Sequence, residues 1–142
     1  MQRIKEIIHQ LRQYIKETRV CFMGSNRNGI GVYDCLLQYF RKSGNDVCDV
    51  RGLCVIRDHM SAMIYRIQYL EKHFGCNLES LNLFVTLKQK CDILVALYLK
   101  YGITRERNIM AKIVDSLTDI GRTERKAVEI LIAELENGKR EL

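Results

Sequence analysis

The sequence predicts an all-α protein: a single-domain bundle of about six helices around a central apolar helix at residues 78–101, closed by a C-terminal αα-hairpin. Three observations carry that expectation. The chain has no proline, so nothing breaks a helical run from within. Apolar residues recur three and four apart through most of its 142 residues, the period of a helix with one buried face. Six of the nine glycines fall singly where one such run gives way to the next, so glycine and asparagine supply the punctuation. At this length residues 1–142 read as one helical domain with a core of its own.

The first helix carries Ile4, Ile7, Ile8, Leu11, Tyr14 and Ile15 on one stripe, with Arg3, Lys5, Glu6, Gln10, Arg12, Gln13 and Lys16 opposite. A glycine-dense stretch, Gly24 to Gly31, precedes a second helix from Ile30 to Phe40. Tyr33, Leu37 and Phe40 lie on one side of that helix, and Val32, Cys35, Leu36 and Tyr39 on the other. So wide an apolar surface implies burial on more than one face. The third helix follows Leu53, Ile56, Met60, Met63, Ile64, Ile67, Leu70 and Phe74 and stops at Gly75, which tolerates positive φ. Asn77 is positioned to cap a fourth, with Cys76 and Leu81 as a hydrophobic staple. That helix is nearly apolar all round from Ile93 to Leu99, which makes it the expected centre of the bundle, and Gly102 is its expected end. Thr104 is then read as the cap of a fifth helix burying Ile109, Met110, Ile113, Val114, Leu117 and Ile120. Gly121 closes it, and Thr123 caps a sixth with Val128, Leu131, Ile132 and Leu135. So short a turn from Ile120 to Thr123 folds the last two into a hairpin.

A composition of 47% hydrophobic and 28% charged residues is that of a soluble globular chain. The longest apolar run, Ile93 to Leu99, is too short for a membrane span of about 20 residues, so no membrane partner is expected. Charges recur every few residues after Met1, and the six cysteines sit mostly inside apolar patterns. Both fit a cytoplasmic protein with reduced thiols. The net charge of +6 is concentrated early: residues 1–51 hold nine Lys/Arg against five Asp/Glu, while residues 103–142 hold eight of each.

Several constellations bear on chemistry. Val20–Met23 and Val47–Val50 carry strand signals on either side of the second helix. Between them, Gly24-Ser-Asn-Arg-Asn-Gly29-Ile30-Gly31 resembles the cofactor loop of short-chain dehydrogenases, Gly-x-x-x-Gly-x-Gly. The resemblance implies a bound dinucleotide, with Asp49 where the ribose-binding acid falls. Gly24 stands one residue early, Asp34 replaces the third glycine of the related Gly-x-Gly-x-x-Gly form, and no tyrosine is followed four residues later by lysine. Residues 53–142 offer no further strands. The other reading of the loop is an interhelical turn, and no cofactor is expected. Cys48, Cys54, His73 and Cys76 are soft ligands, but Cys48 and Cys54 lack the tight spacing of a zinc site, so no metal is expected either. His9 and His59 read as helix-surface or boundary residues. Without a nucleophile placed beside a base, no catalytic residue, small-molecule substrate or enzyme activity is expected.

The segment Leu117-Thr-Asp-Ile120-Gly121-Arg-Thr123-Glu-Arg125-Lys126-Ala127 resembles the helix-turn-helix of winged-helix regulators, through Gly121, Thr123, Ala127, Leu131 and Gly138. That resemblance implies nucleic-acid contacts by Arg122, Thr123, Arg125 and Lys126. Glu134, at a core position of the pattern, departs from it. A second candidate nucleic-acid surface is the basic N-terminal face with Arg3, Lys5, Arg12, Lys16, Arg19 and Arg27. The leading expectation is a non-enzymatic interaction module working through protein–protein contacts or self-association, because the second and fourth helices carry apolar side chains on more than one face. A nucleic-acid-binding regulator or accessory subunit is the alternative, and a nucleotide-binding protein the third reading.

Overall fold

The computed structural model of the protein describes residues 2–16, 33, 36–37, 51–75 and 77–141, and every regular element among them is α-helix. The all-α class therefore holds. The helix count differs from the six expected: the described residues form four helices, α1 (Gln2–Lys16), α2 (Arg51–Phe74), α3 (Ser80–Thr104) and α4 (Arg107–Glu141). Tyr33, Leu36 and Leu37 also have helical backbone. Most of the expected second helix, the glycine loop at 24–31 and both strand signals lie outside the described residues.

Each long helix forms because its apolar residues repeat at an average near 3.5. In α2 the buried set is Leu53, Ile56, Met60, Met63, Ile67 and Leu70. In α3 it is Phe84, Leu87, Cys91, Leu94, Tyr98 and Tyr101, joined by Ser80 and Val95. This alternation of threes and fours keeps one seam facing a neighbouring helix along the whole length. Short connections make α2, α3 and α4 consecutive antiparallel neighbours, with α3 packed against both of the others. The shorter α1 lays Ile4 and Ile8 into the core and packs chiefly on α4. Each fully buried Leu, Ile or Phe in these seams contributes about 1.5–3 kcal/mol through removal from water.

The ends of α3 differ from the sequence expectation. Gly75 ends α2 with φ 63°, as expected. Asn77, however, does not cap α3. The helix starts after Glu79, whose own side chain makes no capping bond. The orphan amides turn instead to α4: Glu134 Oε2 accepts the Glu79 N–H at 2.7 Å, and Glu134 Oε1 accepts the Ser80 N–H at 3.1 Å. A carboxylate there also meets the positive end of the helix dipole. Glu71 receives the Leu78 N–H at 2.8 Å and fixes the rest of the turn. At the other end α3 runs through Gly102 and stops at Arg105, in the left-handed region with φ 57°, whose N–H closes on the Tyr101 carbonyl at 2.8 Å. The Arg105 guanidinium lies 5.7 Å from the centre of the Tyr101 ring. Thr104 is the last residue of α3, so it does not cap α4.

The largest correction concerns the C-terminal hairpin. Arg107–Glu141 is one uninterrupted helix of 35 residues, about 52 Å long by the usual rise. Gly121 is buried inside it. A Cβ at Gly121 would stand 2.9 Å from Tyr33 Cγ, so glycine serves here to admit a neighbouring ring rather than to turn the chain. Gly52 of α2 does the same for Leu36, whose Cδ2 would lie 2.6 Å from an added Cβ. Tyr33 thus reaches α4, and Leu36 reaches α2, over glycine. The cost of glycine inside a helix, about 1 kcal/mol, is small beside the seam it lies in.

Candidate functional site

The buried seam of α4 runs Ile113, Leu117, Ile120, Glu124, Ala127 and Leu131, with a carboxylate at its middle. Glu124 is 0% exposed. Its Oε1 accepts the Tyr14 hydroxyl of α1 at 2.5 Å and stands 2.7 Å from His59 Nε2 of α2. Its Oε2 accepts the Tyr33 hydroxyl. The Tyr14 and His59 rings stack with centroids 5.2 Å apart. One helical turn before the acid, Gly121 leaves the space that Tyr33 fills. Taking a carboxylate out of water costs several kcal/mol unless its oxygens are satisfied, and hydrogen bonds to a charged acceptor return about 1.5–3 kcal/mol each.

The electrostatics follow from that placement. Burial, reinforced by the Glu124 charge and hydrogen bond, pushes the Tyr14 hydroxyl far above its usual range. Tyr33 shifts the same way, again by burial first and then by Glu124. Cys91 of α3 is pushed up to about 12, by burial first and then by the charges of Glu124 and Asp92. Both phenols are therefore held as donors and the thiol as a thiol. Such groups orient and tie; the thiolate that a cysteine nucleophile requires is suppressed. Helices α1 and α2 and Tyr33 converge on this carboxylate of α4 by hydrogen bond.

Beside the cluster, α1 stands off from α2 and leaves a groove of about 550 Å³. Met63, Ile67, Leu70, Val128 and Leu131 line it, Ile7 and Leu11 face them from α1, and the stacked Tyr14 and His59 close one end. Gln10, Tyr65, Arg66 and Tyr69 stand exposed at its rim. A second feature lies on α3, away from its seam. Ile93, Leu99 and Ile103 are 61%, 55% and 86% exposed, and with Val85 and Ala96 they follow a single stripe at helical spacing. The segment Ile93–Leu99 is thus buried on one side only, through Leu94, Val95 and Tyr98, and not wrapped by helices all round.

The structure treats the sequence-predicted residues unevenly. Arg122, Arg125 and Lys126 are exposed and Thr123 is half-buried, but all four lie in mid-helix, without the turn that a helix-turn-helix needs. Arg125 Nε is 3.7 Å from Glu129. Arg12 is paired with Glu136 of α4, and Lys5 is exposed. The side chains of Arg3 and Lys16, and all of Arg19 and Arg27, lie outside the described residues. His73 is exposed and stacks on Tyr69, Cys54 is half-buried, and no group that could hold a metal occurs among the described residues. No described helix is long and apolar enough to cross a membrane.

Sequence reasoning missed Tyr14, Tyr33, His59 and Glu124 as one unit. A signal existed: with the register of Ile113, Leu117 and Ile120 carried through Gly121, Glu124 falls on the apolar seam. Reading Gly121 as a turn erased it. Comparison of the chain with family models, with curated proteins and with solved structures finds no match.

Proposed function

We propose that the protein is a non-enzymatic helical interaction module that self-associates through the outer face of α3. The observation that carries the reading is the exposure of Ile93, Leu99 and Ile103 on one stripe of a helix whose opposite side already packs in the bundle. Apolar side chains grouped in this way mark contact surfaces. The stripe is also self-complementary. In an antiparallel two-fold pairing, Ile93 of one copy meets Ile103 of the other. Free thiols at Cys54 and Cys91 fit a working place in the cytoplasm. Light scattering over a concentration series tests the association: the wild-type chain dimerises, and the double variant Leu99→Ser with Ile103→Ser remains a monomer. A wild-type chain that stays monomeric at the highest concentration removes the reading.

Nucleic-acid binding is the second reading. It is supported by the exposed cations Arg122, Arg125 and Lys126 within about one turn of α4. A gel shift whose affinity falls steeply with salt, and which Arg125→Glu with Lys126→Glu abolishes, would favour it. Absence of any salt-dependent shift would leave the α3 face alone.

A further inference from the structure

We propose that the groove between α1 and α2 is a binding site for an amphipathic carboxylate: a single medium-length apolar chain ending in one anionic group. The volume, about 550 Å³, lies within the roughly 300–1,000 Å³ of small-ligand pockets. Its interior is aliphatic, with Leu11, Met63, Leu70 and Leu131 facing one another. The described lining contains no acid, while its rim carries an exposed guanidinium, Arg66, which enters none of the ion pairs among the described residues. Glu124 lies close by but is fully buried, its oxygens already taken by Tyr14, Tyr33 and His59. The groove therefore complements an anion at its mouth and hydrocarbon within.

Shape narrows the occupant further. The Tyr14–His59 stack spans the gap between α1 and α2, so the groove is stopped at that end and does not suit a helix lying through it. Tyr14 OH and His59 Nε2 are both engaged by Glu124, so neither is offered to an occupant of the groove. From His59 to Arg66 the backbone of α2 rises about 10 Å, the reach of a chain of roughly eight carbons. With its carboxylate on Arg66, such a chain ends against the stack. Tyr65 and Tyr69, on either side of Arg66 in sequence, add aromatic surface at the mouth.

The site is independent of the α3 face, and its test is separate. Calorimetric titration of the full chain with decanoate is expected to give saturable one-to-one binding. Arg66→Glu weakens it about tenfold or more through loss of a charge-assisted bond, and Arg66→Lys keeps most of it. Leu11→Trp fills the groove and abolishes binding. If that variant melts early, the exposed Arg66→Glu decides alone. Leu99→Ser with Ile103→Ser binds decanoate as the wild type does. Equal affinity for decyltrimethylammonium, indifference to Arg66→Glu, or binding to phosphatidylglycerol vesicles without binding to free decanoate would each overturn the proposal.

Discussion

The centre of α4 and the outer face of α3 break the same rule in opposite directions. One buries a carboxylate, and the other exposes large aliphatic side chains. Glu124 is fully buried, yet its oxygens meet three side chains from three separate parts of the chain. Ile103, at 86% exposed, has most of its surface in water. A buried charge resolved within the fold fixes how helices are arranged, whereas surface hydrocarbon left unresolved is available for contact with another molecule. The difference separates an exception that the fold itself resolves from one that it leaves at the surface.

The most severe way to break this comparison is Glu124→Ala. It strands Tyr14, Tyr33 and His59 around a void, and a loss of about 3–5 kcal/mol in chemical denaturation is expected. A loss below about 1 kcal/mol would mean that the cluster ties nothing together. Alkaline pH probes the same place without mutation. Tyr14, Tyr33 and Cys91 all have values raised by folding, so the native state keeps protons that the unfolded chain gives up. That stability is complete below about pH 9, the thiol's ordinary value, and drains away as pH rises toward 12 and beyond. Melting temperature should be level into mild alkali and then fall; a level profile through pH 12 contradicts the burial of these groups.

Smaller effects sharpen the contrast. Gly138→Ala, in open space within α4, should raise stability by up to about 1 kcal/mol, while Gly121→Ala should not, because Tyr33 occupies the place of its Cβ. Equal gains at both glycines would remove the packing role given to Gly121. On the α3 face, Leu99→Ser and Ile103→Ser should each change monomer stability by no more than about 0.5 kcal/mol. A large loss in denaturant melts would show that those side chains already pack within one chain.

The legible parts of the fold were those written in local periodicity. The stripe of α1, the run from Leu53 to Phe74 and the stop at Gly75 all follow from residues a turn or two apart. What escaped was decided by distant partners. Gly121 breaks helices by intrinsic preference, but thirty-five residues of seam and an incoming Tyr33 override it. Glu134 departed from the expected motif because its work is at the start of α3, more than fifty residues earlier. Of the candidate site, His59 reads from the sequence as a helix-surface or boundary residue, and the acid that gives it meaning is hidden by a misplaced turn. The apolar excess of α3 was legible in composition, though not which side chains would remain in water.

The carboxylate of Glu134 has one more consequence. It finishes the first turn of α3 from another helix, so these two bonds exist only while α4 is docked on the hairpin of α2 and α3. The amide protons of Glu79 and Ser80 are accordingly clocks for that docking. Their exchange with deuterated solvent reports the undocking of a distant rod rather than the local fraying that a helix start ordinarily displays.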